Sequence, residues 1–250
     1  MVRLLLVLCL LVVSLACQNN NKESLTNIES KARYLVLASI EKHGGMNTWQ
    51  NLQSISYNKT IILTDSTGIE ESRITQRHKY QLKPKLSGTI SWLSDNDSIS
   101  IVYKNDAASR FVNGIEETDS TSKESAKNSF FSSFYVLFQP FKLLDEGTDL
   151  IFIGEDQLAT GLKVNVVQPV YEGAKEGDDR WWYYFDKETN QLVANMVNHP
   201  PTYSYIVNLA YDNTTAITFN AHRKSYFVDS LRNVHYLRAE YFYKDYQLNY

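Results

Sequence analysis

Histidine and cysteine are the residues of this chain best suited to bind a metal ion or to act as nucleophiles. None of the five histidines stands at the short spacing of a zinc motif; they are His43, His78, His199, His222 and His235. The two cysteines, Cys9 and Cys17, both lie before the region predicted to fold. We therefore predict no metal and no cofactor, although a metal site assembled from distant strands stays open as an alternative. His199 precedes two prolines and is predicted to be a loop residue rather than a ligand.

Acidic side chains are concentrated in residues 172–179, which include the adjacent pair Asp178 and Asp179. A calcium loop needs oxygen ligands at alternating positions, and this spacing does not supply them, so the segment is predicted to be a solvated turn. The chain also lacks a Gly-x-Ser-x-Gly elbow, a phosphate-binding glycine loop and a helical His-Glu pair. Its formal charge of −3 gives no electrostatic reason to bind nucleic acid. No catalytic residue is predicted, and the chain is not expected to be an enzyme.

Four consecutive aromatic residues, Trp181 to Tyr184, could form a platform on which sugars stack. In a β-strand, alternate side chains point to opposite faces, so only half of them can share a surface. The other aromatic side chains are expected to be buried beneath the elements that cover the sheet.

The N-terminus has the features of an export signal. Arg3 is followed by the apolar run from Leu4 to Val13 and then by Ser14, Leu15 and Ala16. This run is about half of the roughly 20 residues that a membrane-spanning helix needs, so cleavage is favoured. Residues 14–17 resemble the cleavage box of bacterial lipoproteins, with Ser14 and Leu15 in reversed order. We predict a signal peptide over residues 1–16 and acylation of Cys17; an ordinary signal peptide with an incidental cysteine is the alternative.

Behind this signal, residues 17–24 are predicted to be the lipidated cysteine and a polar tether, and residues 25–250 a single folded domain. Apolar residues at steps of three and four predict a helix from Leu25 to His43, which Gly44 and Gly45 end. A short helical turn is expected over residues 47–52. A second helix is predicted over about residues 122–138, opened by a capping box of Thr121 and Glu124.

Alternation of apolar and polar residues predicts that the rest of the domain consists of β-strands. Ile55, Tyr57, Ile61 and Leu63 share one face of the first strand, which only Lys59 interrupts. The predicted strands cover residues 55–63, 69–82, 86–93, 99–103, 110–112, 150–154, 162–166, 180–185, 191–197, 203–211, 216–226 and 234–243. About 11 to 12 strands are too many for a flat sheet, so we predict an α+β domain with a strongly curved antiparallel sheet, an unclosed barrel whose concave face is covered by helices.

Three local motifs resemble the lipoprotein-carrier fold of the LolA and LolB type. They are His43-Gly44-Gly45 with Trp49, then Phe138-Gln139-Pro140-Phe141-Lys142-Leu143-Leu144, and Trp182 to Thr189 before Leu192-Val193. The last is the most specific, because an Asp-Lys-x-Thr hairpin turn ends a strand at this point of that fold. A closer resemblance is to uncharacterised Gram-negative envelope lipoproteins that share the early His-Gly-Gly and Trp signature.

The resemblance implies a hollow that binds acyl chains. Phe130, Phe131, Phe134 and Trp92 are the predicted apolar ligand-binding residues, with the helix that carries the three Phe residues as a partial lid. The alternative is that these Phe residues complete a closed core. The turns that correspond to the membrane-inserting hairpin of the carrier family are charged here, at residues 83–85 and 94–97, so insertion by that route is not expected.

The predicted function is therefore a membrane-anchored envelope lipoprotein, at the outer membrane of a Gram-negative bacterium, that binds an apolar ligand without catalysis. Its expected partners are the membrane, through the lipid anchor, and a lipid or an acylated protein. Two alternatives remain: a structural or interaction lipoprotein with a permanently filled core, and an enzyme whose site is assembled from scattered residues.

Overall fold

Antiparallel strands make up most of the part of the chain that the computed structural model describes, residues 28–250. In chain order these strands are β1 (Ser54–Thr64), β2 (Glu70–Gln81), β3 (Ser87–Ser94), β4 (Asp97–Lys104), β5 (Ala107–Val112), β6 (Ile115–Glu117), β7 (Thr148–Gln157), β8 (Lys163–Tyr171), β9 (Arg180–Asp186), β10 (Leu192–His199), β11 (Thr202–Asp212), β12 (Phe219–Val228) and β13 (Val234–Asn249). All 13 form one sheet in the order β6-β5-β4-β3-β2-β1-β13-β12-β11-β10-β9-β8-β7. The first six strands and the last seven are thus two meanders joined by the pairing of β1 with β13. Within residues 28–250, β6 and β7 each pair on one side only and form the two edges, so the sheet is an unclosed half-barrel, as predicted.

The helices pack on one face of this sheet. They are α1 (residues 28–42), α2 (Met46–Asn51) and α3 (Ser120–Leu137), followed by a 3₁₀ turn over Phe141–Leu144. Buried residues of α1 recur at the predicted spacing, and they join buried residues of α3 and of the strands in one core cluster. The helix α3 lies against β4 and β5, while Lys31 of α1 places its amine over the ring of Phe152 in β7. The two long helices therefore cover opposite sides of the concave face.

The period-two pattern of β2 positions its side chains as the sequence predicts. His78 and Tyr80 are buried, whereas Arg77 and Lys79, which alternate with them, are exposed. The same register continues into β1, where Tyr57 lies opposite His78. The inward face of β2 is thus mainly aromatic, with His78 hydrogen-bonded to Gln76 and Tyr80, and its outward face is charged.

Two of the three motifs meet in the core. Trp49 stacks on Phe141 at 5.2 Å between ring centroids and contacts Phe138 at 4.7 Å. In the third motif, Asp186 accepts hydrogen bonds from the backbone N–H of Glu188 at 2.8 Å and from the hydroxyl of Thr189 at 3.0 Å. These bonds close the turn between β9 and β10.

Gly44 ends α1 where no other residue would fit. Its φ of +116° lies in a region that L side chains rarely adopt, and an added Cβ would overlap the carbonyl oxygen of Ala216. The backbone N–H of Thr218 donates to the carbonyl oxygen of His43 at 3.0 Å. This contact fixes the loop before β12 against the end of α1, and β12 consequently begins at Phe219 rather than at the predicted residue 216.

The predicted capping box of the second helix is wrong. The N-cap is Asp119, whose carboxylate accepts a hydrogen bond from the backbone N–H of Ser122 at 2.9 Å, and Thr121 lies inside the first turn. The helix begins this early because β6, which the sequence did not predict as a strand, carries the chain directly to residue 117. This strand pairs with β5 across the turn at Asn113 and Gly114 and raises the strand number above the predicted 11 to 12.

The predicted signal peptide, Cys17, the tether and the first residues of the predicted helix lie outside the described residues. Between residues 28 and 250, no helix has both the length and the apolar content required to cross a membrane.

Candidate ligand-binding site

A cavity of about 800 Å³ lies between α3, the loop that leads into β7, and the ends of β8, β9 and β10. We call it the aromatic compartment after the part of its wall formed by Phe131, Tyr135, Val136, Tyr171 and Trp181. Its rim is charged and is formed by Lys142, Asp145, Glu146, Glu172 and Asp179. The compartment therefore combines an apolar wall with a polar opening, as small-molecule sites commonly do.

Tyrosine hydroxyls fix the wall of the aromatic compartment. The hydroxyls of Tyr135 and Tyr171 share a hydrogen bond of 2.5 Å. Trp181 stacks on Tyr183 at 6.1 Å, and the Tyr183 hydroxyl accepts a hydrogen bond from Gln139 Nε2 at 2.7 Å. Burial raises the pKa of Tyr135, Tyr171 and Tyr183 above its ordinary value, so these hydroxyls are uncharged at neutral pH.

A second cavity, of about 240 Å³, lies between α3 and the central strands of the sheet. It shares four lining residues with the first, Ser132, Val136, Trp181 and His199, so the two cavities adjoin. We call it the basic compartment because Lys59 and Arg223 line it and no acidic residue of the described chain does. The remaining lining residues are Ser133, Asn195, Val197, Ser204, Ile206, Ser225, Tyr241 and Tyr243.

Strand register brings these residues together from distant parts of the chain. Lys59 of β1 lies opposite Tyr243 of β13, and Arg223 of β12 lies opposite Tyr241. In the antiparallel ladder such pairs point to the same face, which here is the concave one.

Arg223 is held by two asparagines. Its side chain is 4% exposed, its Nε donates to Asn208 Oδ1 at 2.8 Å, and its Nη2 donates to Asn195 Oδ1 at 2.5 Å. Asn208 in turn donates from Nδ2 to the carbonyl oxygen of Leu192 at 2.8 Å. The guanidinium therefore has a fixed orientation in the wall of the cavity.

His199 lies where the two compartments meet. Its Nδ1 is 2.5 Å from Asp179 Oδ1, and its ring lies edge-on to Trp181 at 6.3 Å. The sequence predicts a loop position for His199 and a solvated turn for Asp179; His199 instead ends β10, and both residues are exposed. Their pairing was not predicted, because Asp179 precedes β9 and His199 ends β10, and only the register of these strands brings them together.

Solved structures of 8–10% sequence identity have the same fold. A DUF1329 family protein from Desulfovibrio piger aligns with a TM-score of 0.55 at 8% identity, over 87% of this chain and 93% of that one. A putative outer membrane lipoprotein-sorting protein domain from Vibrio parahaemolyticus aligns with a TM-score of 0.54 at 10% identity, over 88% and 93%. A LolA superfamily protein from Nitrosomonas europaea gives 0.54 at 9% identity, over 88% and 94%. The chain has a LolA-like fold. No protein-family model and no curated protein matches the sequence.

Within this LolA-like fold, the four predicted ligand-binding residues lie in different places. Phe131 lines the aromatic compartment. Phe130 and Phe134 lie in the core, at 0% and 7% exposure, and they are not on the wall of either compartment. Trp92 is half-buried against the core cluster on β3, away from both cavities. Contact between a ligand and Phe130, Phe134 or Trp92 remains a prediction that the positions of these residues do not favour.

The polar residues of the LolA-like hollow were missed by sequence analysis. Of these residues, only Lys59 could have been identified from the sequence, because it interrupts the apolar face of the first predicted strand. Arg223, Asn195 and Asn208 could not be assigned to the concave face before the strand registers were known.

Among residues 28–250, no group of three or more His, Cys, Asp or Glu side chains is placed to hold a metal ion.

Proposed function

We propose that this chain is a lipid-anchored envelope lipoprotein whose hollow binds an apolar ligand, a lipid or the acyl chain of a lipoprotein, without catalysis. The aromatic compartment carries this proposal. Its volume of about 800 Å³ lies within the range of about 300–1,000 Å³ typical of ligand sites. An apolar chain placed against Phe131, Val136 and Trp181 would gain roughly 25 cal/mol for each Å² of apolar surface removed from water.

Sequence and fold support the same proposal. The export signal with Cys17 supports anchoring at the envelope, and the Vibrio parahaemolyticus neighbour, described as an outer membrane lipoprotein-sorting domain, supports the outer membrane as the site. The charged turns of the early strands favour the lipid anchor over a protein hairpin as the membrane contact.

One observation favours the structural alternative. Phe130 and Phe134 fill the space between α3 and the strands β2 and β4, so this part of the hollow is packed with the protein's own side chains. A filled core would leave the aromatic compartment as a surface cleft with no ligand. The two functions differ in a single property, the binding of an apolar molecule.

Titration with an uncharged fluorescent probe, the methyl ester of a labelled 16-carbon fatty acid, measures this property. The full chain carrying Cys17→Ser and freed of copurifying lipid should bind the ester. Phe131→Gln should weaken this binding at least about tenfold, because a polar amide replaces an apolar wall.

Tyr34→Gln is the matched control, since Tyr34 is 68% exposed on α1 and the variant loses an aromatic ring outside the hollow. An ester that does not bind the wild type, or that binds Phe131→Gln and the wild type equally, would contradict the proposed function. The first result would support the structural alternative.

A further inference from the structure

Two positive charges face the concave side of the sheet without acidic partners. Lys59 and Arg223 both line the basic compartment, and neither forms an ion pair with any residue of the described chain. The Lys59 amine lies 5.1 Å from the centroid of the Tyr241 ring and 5.8 Å from that of Tyr243. These rings attract the ammonium weakly and leave its three N–H groups free of carboxylate.

Arg223 is the more unusual of the two, because it is almost fully buried. A buried charge is costly unless a counter-charge or a complete set of hydrogen bonds compensates for it. A guanidinium has five N–H groups, and only two atoms, Nε and Nη2, donate to the amide oxygens of Asn208 and Asn195. Within residues 28–250, Nη1 donates to no side chain or carbonyl. The cavity beside Arg223 therefore offers unused donors of a delocalised cation, the group that proteins use most often to recognise carboxylate and phosphate.

Neutral donors surround the two cations. Ser204, Ser225 and Tyr241, each of which carries a hydroxyl, line the same cavity. Burial raises the pKa of Tyr241, so this hydroxyl keeps its proton and can donate a hydrogen bond to an anion. The wall thus presents donors without a competing carboxylate.

We propose that the basic compartment binds the anionic head group, a carboxylate or a phosphate, of an amphiphile whose apolar chain lies in the adjoining aromatic compartment. This inference rests on the proposed function and names the class of its ligand. The two compartments share Val136 and Trp181, so one molecule can extend from the cations to the aromatic wall. The rim of the aromatic compartment favours this orientation, because Glu146 and Glu172 would repel an anionic head group placed there, while Lys142 of the same rim is paired with Asp145.

A pair of probes that differ only in charge tests the proposal. The full chain carrying Cys17→Ser, freed of copurifying lipid, is titrated with a labelled 16-carbon fatty acid and with its methyl ester. The acid should bind at least about tenfold more tightly than the ester, the change expected for one charge-assisted hydrogen bond. Lys59→Gln and Arg223→Gln should each remove most of this preference by weakening the binding of the acid.

The exposed face of β2 provides the matched controls. Lys79→Gln and Arg77→Gln make the same changes of charge on side chains that point away from the concave face, and both variants should keep the preference for the acid. Circular dichroism checks that each variant is folded. If Arg223→Gln does not fold, Lys59→Gln decides the question, because the Lys59 amine donates no hydrogen bond within residues 28–250.

Equal affinity of the wild type for acid and ester would overturn this inference and leave the proposed function standing. Binding of neither probe would overturn both. A fatty-alcohol phosphate that binds like the acid, and that loses affinity in Lys59→Gln, would support the site and extend it to phosphate head groups. If inorganic phosphate alone raised the melting temperature as much as the acid does, the site would belong to a free anion and the assignment to an amphiphile would be wrong.

Discussion

Replacing Phe130 with Ala should destabilise the protein far more than replacing its neighbour Phe131. Phe130 has no exposed surface, and its ring stacks on Tyr103 at 4.9 Å and meets Tyr80 edge-on at 5.2 Å. The ring also packs tightly against β3, since a Cβ added to Gly88 would lie 2.9 Å from it. Fully buried Phe→Ala changes cost about 3–5 kcal/mol, and aromatic pairs contribute about 0.5–1.5 kcal/mol beyond burial. We therefore expect Phe130→Ala to fall in the upper half of that range.

Phe131 is half-buried on the wall of the aromatic compartment, so part of its surface already contacts water. Complete burial of a Phe side chain contributes about 1.5–3 kcal/mol, and Phe131→Ala should cost less than about 2 kcal/mol. Urea denaturation followed by circular dichroism, with the denaturant slope compared between variants, measures both values. If the two variants lost the same free energy of unfolding, or if Phe130→Ala lost less than about 1 kcal/mol, the packing under α3 would be loose and the whole helix face would behave as a lid.

Three further predictions concern the anchor, the end of α1 and a buried histidine. Cys17→Ser should release the protein from membranes into the supernatant, and a variant that still sediments with membranes after a salt wash would contradict the predicted anchor. Gly44→Ala should destabilise the protein by at least about 2 kcal/mol more than Gly114→Ala, because both need positive φ but only the first added Cβ overlaps the backbone; equal melting temperatures would refute this packing. Burial lowers the pKa of His78 well below its ordinary value of 6.5, so the folded protein keeps His78 neutral while the unfolded chain binds a proton. The free energy of unfolding should then fall as the pH drops below about 6.5, and His78→Gln should reduce this pH dependence in denaturation experiments at pH 7.5 and 5.5; an unchanged slope would contradict it.

The fold could be predicted because its strands are patterned locally. The alternation in β2 places His78 and Tyr80 inward without reference to any other strand, and the turns after β1 and β5 have recognisable residues. The helical stripe of α3 was also evident, but spacing alone could not decide which Phe residues face the core and which face a cavity. Both Phe130 and Phe131 contact Tyr103, which reaches α3 only through the pairing of β3, β4 and β5, and of these two Phe residues only Phe131 also lines the aromatic compartment.

The site could not be predicted in the same way, since it is built by long-range register. Lys59 and Arg223 are neighbours across the concave face only because β1 and β12 both pair with the last strand of the chain. A bulge in the β1–β13 pairing, between Ser56 and Asn58, sets this register, and no local sequence pattern predicts the bulge. No local pattern in β12 therefore predicts that Arg223 faces the hollow. Its position is recognised only when the strand registers bring Asn195 and Asn208 beside it.

Native mass spectrometry tests the central claim, that the hollow holds an apolar ligand. The full chain carrying Cys17→Ser, purified without detergent, should carry the added mass of one non-covalently bound amphiphile. Val136→Trp should remove this mass, because Val136 lines both compartments and the larger ring would fill the space between them. Val170→Trp, at a position that is 40% exposed, should keep the added mass. A wild-type chain observed only at its own mass, or a Val136→Trp variant that retains the same ligand, would contradict the claim.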